Sequence, residues 1–507
     1  MAPSLLSRYE DKIAGVLGCF DRVVVYGTLP GLCFAEGMAA FLRSRNIRIF
    51  DYPRWAEPLR EVIRENAERV AHQAGVEIEF VRHHIRKEAR IAEVLAQRGH
   101  APGLVHILSV MEECGTYRPW HDKRTGKTSL KPGRSKCLHY YFYFIDEEFG
   151  LCYLRVPTWA PFRLQFYFNG HHWLAAKLRK RGINYTARDN AFLAIENFAV
   201  AQQLADDFDV SRLHRALDRF ANLYCPVLKT VPEAYHWSIM QVEYSTDVVF
   251  RRQSDLAPVY ETLTRTAIHA VKPDHVATFL GRKLDDRFKD ELGNDFSTRI
   301  EGTRIRHQMG RQASIKMYDK FALVLRIETT ANDVTFFKHH RKVEHQDGTD
   351  TYKLAPVKKT IYSLVPDLRN LLSAANRRYL DFISELDDPS AGIKALDTIS
   401  QPATDANGRR HRGFNLFLGD DQKLFEALLR GEFLISGCRN KDLQKALPGT
   451  TSSKASYFFK RLRTHGLLKR VGRTYKYYLT AFGRHVAVAG LKVKELFVIP
   501  SLAEVAM

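Results

Sequence analysis

The chain has no run of about 18 apolar residues, the length a membrane-crossing helix requires. Its first residues, MAPSLLSRYEDKIAG, carry neither a long apolar core nor a small-residue cleavage site. A membrane span and secretion are therefore not expected, and the cytoplasm is. Cysteine is scarce: seven residues, Cys19, Cys33, Cys114, Cys137, Cys152, Cys225 and Cys438, with no CxxC pair. That excludes a zinc knuckle and fits free thiols in a reducing compartment. Neither GxGxxG nor GxxxxGK(S/T) occurs, so nothing supports a glycine-rich phosphate cradle. Acidic residues are too few to balance the basic ones, 57 against 77, and the net charge is +20. Such a surplus points to a polyanionic partner, nucleic acid first and an anionic membrane surface second.

What is present suggests a mixed α/β, multidomain protein. With 507 residues and 45% hydrophobic content, the chain can build several cores. Residues 1–136 alternate strand and helix. FDRVVVY, IRIFDY, VEIEFV and GLVHILSVME are separated by helical stretches, the pattern of a parallel sheet with crossover helices. Sites in such sheets lie beyond the carboxyl ends of the strands. Tyr26, Gly27, Thr28, Asp51, His83, His84, Glu112 and Glu113 fall there. Asp51, Glu112 and Glu113 are candidate ligands for Mg²⁺ or Mn²⁺, with turn-capping as the plainer role.

Residues 137–270 are expected to be an aromatic hairpin followed by a helical bracing subdomain. The segment before it, 116–136, holds seven Lys or Arg against one Asp, and reads as a basic loop headed by Tyr117 and Trp120. LHYYFYFIDEEFGLCYLRV then alternates aromatics along two arms around a DEEFG turn. These rings suit a core. The outward half, with Arg155, Arg163 and Gln165, also suits a stacking platform for single-stranded bases. Further on, Glu243 and Asp247 share a face if VPEAYHWSIMQVEYSTDVVFR is helical, and separation is the other reading.

Residues 271–400 form the basic, β-rich third part, with a connector helix. In SIKMYDK, Lys316, Tyr318 and Lys320 alternate with Ile315 and Met317. In ALVLRIE, Leu325 and Ile327 alternate with Arg326 and Glu328. Two paired strands are expected, with Lys, Tyr, Arg and Glu on one wetted face. Arg304, Arg306 and Arg311 upstream add charge for DNA.

The strings IKMYDK and LRIETT resemble the nicking domain of rolling-circle replication initiators of the plasmid and filamentous-phage type. There a Tyr-x-Lys strand precedes an Arg-x-Glu strand. The resemblance falls on Tyr318, Lys320, Arg326 and Glu328 and implies nucleic-acid handling more than nicking. If the strand pair is catalytic, the chemistry assigns Tyr318 to attack on a phosphate, Lys316 and Lys320 to the developing charge, and Glu328 to a divalent ion; the plainer role for Tyr318 is packing or stacking on DNA. The His-apolar-His metal motif of many such enzymes is missing. His83–His84, His171–His172 and His339–His340 are adjacent pairs.

Residues 401–413, QPATDANGRRHRG, read as a linker. Residues 414–507 follow the order helix, helix, helix, hairpin, helix and resemble the winged helix-turn-helix family. From Lys454 to Lys476 there are eight Lys or Arg and no acid. Lys454, Tyr457 and Arg461 are expected to face outward from the third helix, capped by Ser452 or Ser453, with Asn440 capping the second. With Lys460, Arg463, Lys469, Arg470, Arg473 and Lys476 they form the expected duplex-DNA face.

Three functions stay open: a DNA-binding protein of a replication or mobile-element type that nicks or cleaves DNA, a non-catalytic DNA-binding regulator, and an RNA-binding protein using the aromatic sheet.

Overall fold

The computed structural model describes residues 5–82, 85–99, 101–231, 233–282, 296–301, 304–345, 348–385, 389–430, 433, 437–472 and 474–493. The chain divides into two compact units, Pro3–Asp387 and Asp388–Met507. Among the described residues no helix is long and apolar enough to cross a membrane.

The first unit is built on one mixed sheet of 11 described strands. Its centre is β1 (Ile13–Thr28) paired antiparallel with β9 (His236–Phe250). On one side of β1 follow β6 (Leu164–Asn169), β5 (Gly150–Pro157), β4 (Thr128–Asp146), β3 (Gly103–His121) and β2 (Ile78–Phe80). On the other side of β9 follow β13 (Val324–Ala331), β12 (Ala313–Lys320), β11 (Arg304–Met309) and β10 (Phe296–Glu301). Only β2 and β3 are parallel among the neighbouring pairs.

The expected parallel sheet of residues 1–136 is therefore corrected. β1 begins at Ile13, inside SLLSRYEDKIAGVL, a stretch whose sequence reads as a short helix. Gly15 and Gly18 weaken a helix there and let neighbours approach. A Cβ at Gly15 would sit 2.2 Å from the Phe198 ring, and one at Gly18 2.7 Å from the Tyr244 hydroxyl. IRIFDY is not a strand. Ile49–Asp51 form a 3₁₀ turn that enters the helix Tyr52–Ala74, where proline in the first turn favours helix over strand. The basic loop is corrected too: 116–121 and 128–136 belong to the β3–β4 ladder, and only 122–127 turn. The expected boundaries at 136 and 270 are crossed by the sheet, so the first three expected parts are one unit.

The alternation of β4, β5 and β6 sorts two cores. Phe142, Phe144, Leu154, Phe166 and Phe168 join the main core, with Ile315, Met317, Leu325 and Ile327. The helices α2 (Ala35–Ser44), α3 (Tyr52–Ala74), α7 (Val210–Tyr224) and α10 (Arg369–Glu385) pack into that same core. Tyr141, Tyr143 and Tyr153 point the other way, against Ile91, Val94 and Leu95 of α4 (Lys87–Arg98). The DEEFG turn forms as expected: Asp146 accepts from the Glu148 and Phe149 amides. The open segment around Glu243 and Asp247 is strand β9, so both project to one face by two-residue periodicity.

The second unit runs α11 (Pro389–Ser400), α12 (Gly419–Leu428), α13 (Asn440–Ala446), α14 (Ser452–Thr464), the pair β18 (Leu468–Arg470) and β19 (Tyr477–Leu479), and α15 (Ala481–Val493). It has its own core, including Leu424, Phe425, Leu443, Phe458, Phe459 and Leu462. The expected linker instead holds a short hairpin, β16 (Ala403–Thr404) with β17 (Arg410–His411), fastened by Asp405 to His411 at 3.0 Å. Thr451, not Ser452 or Ser453, caps α14 by accepting from the Lys454 amide. Asn440 is the first residue of α13, and its side chain ties that helix to Ser452 and Ser456.

Candidate functional site

The register of β1 against β9 shifts between Phe20–Tyr244 and Val23–Val242. Two residues of β1, Asp21 and Arg22, thus oppose one residue of β9, Glu243. This is a β-bulge, a device that re-aims side chains. On the far side of β9, Glu243 faces Thr330 and Ser245 faces Glu328 of β13. Carboxylate oxygens of Asp21, Glu243 and Glu328 lie within 4.8 Å of one another. Three such oxygen donors can hold a divalent metal ion.

Lysine completes the cluster. In β12, Lys316 stands opposite Glu328. Its Nζ donates to Glu328 at 2.5 Å and to Glu243 at 3.1 Å. The Tyr318 hydroxyl donates to the other Glu328 oxygen at 2.6 Å. One step along, Arg326 donates twice to Asp247 at 2.6 Å and lies 3.5 Å from Asp21. His171, the first full turn of α5 (Gly170–Lys180), sits between Asp21 at 3.1 Å and Asp247 at 3.5 Å. Asn169 and Asn190 each donate an amide to Asp21 Oδ1.

These neighbours drive the carboxyls apart in acidity. Burial works against the Asp21 charge, but Arg326 and His171 outweigh it and hold the carboxyl below its ordinary range. Asp247 is lowered in the same way, against burial, by Arg326 and His171. Glu328 is raised, by burial first and by the Glu243 charge second, with Lys316 only partly offsetting them. Two carboxyls of opposite tendency in one site suit separate roles, one a fixed anion and the other a proton carrier. His171 is raised because Asp21 and Asp247 overcome burial and Arg326. Burial, then Glu328, pushes the Tyr318 hydroxyl far above its usual value.

Arginines flank the cluster. Arg22 lies 5.2 Å from the Tyr167 ring centroid, and its buried Nε has no hydrogen-bond partner. Arg306 stands opposite Lys316, and Arg304 lies 4.7 Å from the Tyr318 ring centroid.

Of the residues expected on the Tyr-x-Lys and Arg-x-Glu strands, Lys316, Tyr318 and Glu328 meet in this site. Their face is corrected from wetted to buried: Glu328 and Arg326 are covered, and Arg326 donates to the Asn190 carbonyl. Lys320 turns aside to Asp189 and Asn190. Arg311 is exposed beyond the strand.

The proposed metal set Asp51, Glu112 and Glu113 is not brought together. Asp51 pairs with Arg48 at 2.8 Å, and Glu113 lies 3.6 Å from Arg134. Glu112 is held by Lys87, Arg155 and Tyr141, which lower its carboxyl despite burial. Adjacent strand residues point to opposite faces, so Glu112 and Glu113 cannot converge. His83 and His84 lie outside the described residues. Sequence reading missed Asp21 and His171. The available signal was an acid inside the apolar strand FDRVVVY, where a lone charge needs partners.

On the second unit, Lys454, Tyr457, Lys460 and Arg463 of α14 are exposed, as are Lys469 and Arg470, while Lys476 is half-buried. Arg461 is corrected: it is fully buried, donating to Asp421 at 2.6 and 2.9 Å and to the carbonyls of Arg412 and Gly413. It lies on the side of α14 that carries Phe458 and Leu462, and Phe414 packs on its guanidinium. Arg473 lies outside the described residues. Arg409, Arg410 and His411 share a hollow with Ser452, Ser453, Tyr457 and Lys460.

No family model, curated protein or solved structure matches the chain.

Proposed function

We propose that the protein binds DNA and cleaves or nicks its phosphodiester backbone, as a replication or mobile-element protein does. The observation that carries this reading is the convergence of Asp21, Glu243 and Glu328 with Lys316 and Tyr318. Four carboxylates, counting Asp247, face the cations Lys316 and Arg326 in a buried site. Asp21, Glu243 and Glu328 would hold a divalent ion, Mg²⁺ or Mn²⁺, which would offset their mutual repulsion and supply Lewis-acid polarisation of a phosphate and a water of lowered pKa. Arg22, Arg304 and Arg306 offer charge-assisted hydrogen bonds to the non-bridging phosphate oxygens. Glu328, whose pKa is raised by burial and the Glu243 charge, would accept the proton of the attacking group.

The second unit supplies affinity. Its helix order and basic α14–hairpin face support a winged-helix reading, with Lys454, Tyr457 and Lys460 toward the major groove and Lys469, Arg470 and Lys476 along phosphates.

Tyr318 is the second candidate nucleophile, favoured by its 2.6 Å hydrogen bond to Glu328. The deciding experiment incubates the full chain and end-labelled single- and double-stranded DNA, with RNA in parallel, in Mg²⁺ or Mn²⁺. Metal-dependent cleavage should fall by about 100-fold or more in Glu243→Gln and Glu328→Gln. A covalent protein–DNA adduct that Tyr318→Phe abolishes assigns the attack to tyrosine; cleavage by Tyr318→Phe at the wild-type rate assigns it to water. Equal cleavage by wild type and both Gln variants overturns the site, and a lack of cleavage with RNA or DNA binding alone overturns the enzymatic reading.

A further inference from the structure

The polar face of the sheet holds a second feature beside the carboxylates, a cavity of about 550 Å³. Tyr143, Tyr153 and Tyr167 form one wall, on three adjacent strands. Tyr153 and Tyr167 are stacked, with centroids 5.1 Å apart and planes at 17°. Ile91, Ala92 and Leu95 of α4 line the cavity as well. The remaining border mixes apolar residues such as Ile145, Leu151 and Ala175 with polar ones that include His172, whose Nδ1 is buried without a hydrogen-bond partner.

Two residues connect this cavity to the carboxylates. Asn169 and Asn190 both line it, and both donate to Asp21 Oδ1, at 3.0 and 2.6 Å. Arg22, the other bulge residue, extends its guanidinium over Tyr167. A ligand against Tyr167 therefore lies one side chain away from a phosphate held at Asp21 and Glu243.

We propose that this cavity receives one unpaired nucleobase of the nucleic-acid strand whose phosphate is held at Asp21, Glu243 and Glu328. The inference rests on the phosphodiester reading above. Its support is chemical. A nucleobase is flat and offers a π-face to tyrosine whatever its sequence. Its edge carries donors and acceptors that a buried imidazole nitrogen can meet. The volume falls within the ordinary range of small-ligand sites and admits a base with its sugar. A base held in the stack of a duplex cannot enter, so the ligand is single-stranded or turned out of the helix.

The test uses the full chain with Ca²⁺ in place of Mg²⁺ or Mn²⁺, so that a divalent ion still fills the carboxylate site, and strand length is checked in parallel to show that no cleavage contributes. A single-stranded oligonucleotide carrying 5-iodouracil is bound and irradiated, and the adduct is mapped by tryptic mass spectrometry. Adducts on the peptides 137–155 or 164–177, which hold Tyr143, Tyr153, Tyr167 and His172, are expected. Ala92→Trp fills the mouth from an exposed helix position and should lower that yield about tenfold. Adducts confined to other peptides, or a yield unaffected by Ala92→Trp, overturn the inference. Equal labelling of the same peptides by free 5-iodo-2′-deoxyuridine overturns the strand as the source and assigns the cavity to a free nucleoside. Loss of these adducts with cleavage intact removes only the base pocket. Adducts intact with no metal-dependent cleavage remove only the phosphodiester reading.

Discussion

Replacing Lys316 by Met tests the electrostatics of the carboxylate cluster directly. The ammonium makes two charge-assisted hydrogen bonds, to Glu328 and Glu243, and its side chain is only 11% exposed. Each bond to a charged acceptor is worth about 1.5–3 kcal/mol. Breaking a buried pair by removing one partner costs about 3–5 kcal/mol, because a charge stays behind unpaired. Methionine fills the volume, so the cavity penalty is small. The expected loss at pH 8 is about 3–4 kcal/mol, the lower part of the range, because Glu328 can shed its charge by taking a proton.

That escape fixes the pH dependence. Glu328 is already raised above its ordinary 4.5, and the variant removes Lys316, which lowers it. Between 4.5 and the raised folded value, the native state binds the proton and the unfolded chain does not. Stability therefore falls as pH rises through this window, by up to about 1.4 kcal/mol per pH unit. The variant should be least destabilised near the acid end and most at pH 8. All five tryptophans, Trp55, Trp120, Trp159, Trp173 and Trp237, lie in the first unit, so fluorescence during urea unfolding follows this unit. Added Mn²⁺ should restore more stability to the variant than to wild type, since it supplies the missing cation. A loss below about 1 kcal/mol, or one independent of pH, refutes the argument.

Arg461→Met should destabilise the second unit by about 3–5 kcal/mol, because it strands the buried Asp421 carboxylate; thermal unfolding followed by circular dichroism checks this. Lys460→Ala, on the exposed side of the same helix, should leave that transition in place, weaken duplex binding, and reduce the salt slope by about 1. The raised His171 contributes stability that is fully present below its unfolded value of about 6.5 and is lost as pH rises through its folded value. Comparing wild type with His171→Gln by urea unfolding from pH 6 to 9 should show a decline in the wild type that the variant lacks.

Local periodicity was readable and long-range pairing was not. The β12–β13 pair was legible because Ile315, Met317, Leu325 and Ile327 alternate with charged and aromatic residues at strand spacing. The helix order of the second unit was legible from its apolar repeats. The N-terminal strands were misplaced because alternating strand and helix signals do not say which strands touch. β1 pairs with β6 and β9, partners from remote parts of the chain, and its glycines concealed the strand inside a helix-like spacing. Arg461 was misassigned because an arginine beside a core position reads as outward, whereas Asp421 and two carbonyls offered it a buried place.

The site is hardest to read because it lies on a seam. β1 is followed by helices and then the antiparallel succession β3–β4–β5–β6, whose last strand returns to β1. β9 is followed by helices and then β10–β11–β12–β13, whose last strand returns to β9. The two halves meet at β1 and β9, and each contributes acids there: Asp21 from the first, Glu243, Asp247 and Glu328 from the second. Asp21 precedes Glu328 by 307 positions in the chain (328 less 21), so no short motif can contain both. The bulge at Asp21–Arg22 is what turns this meeting of halves into a site. In a regular ladder only one side chain would oppose Glu243, and the acid or the arginine would turn to the other face. With the extra residue both lie beside it, the acid toward the proposed ion and the arginine toward the tyrosine wall. Deleting one residue of the bulge should therefore separate the two functions from folding: the strand can pair regularly, but carboxylate and guanidinium can no longer share that face.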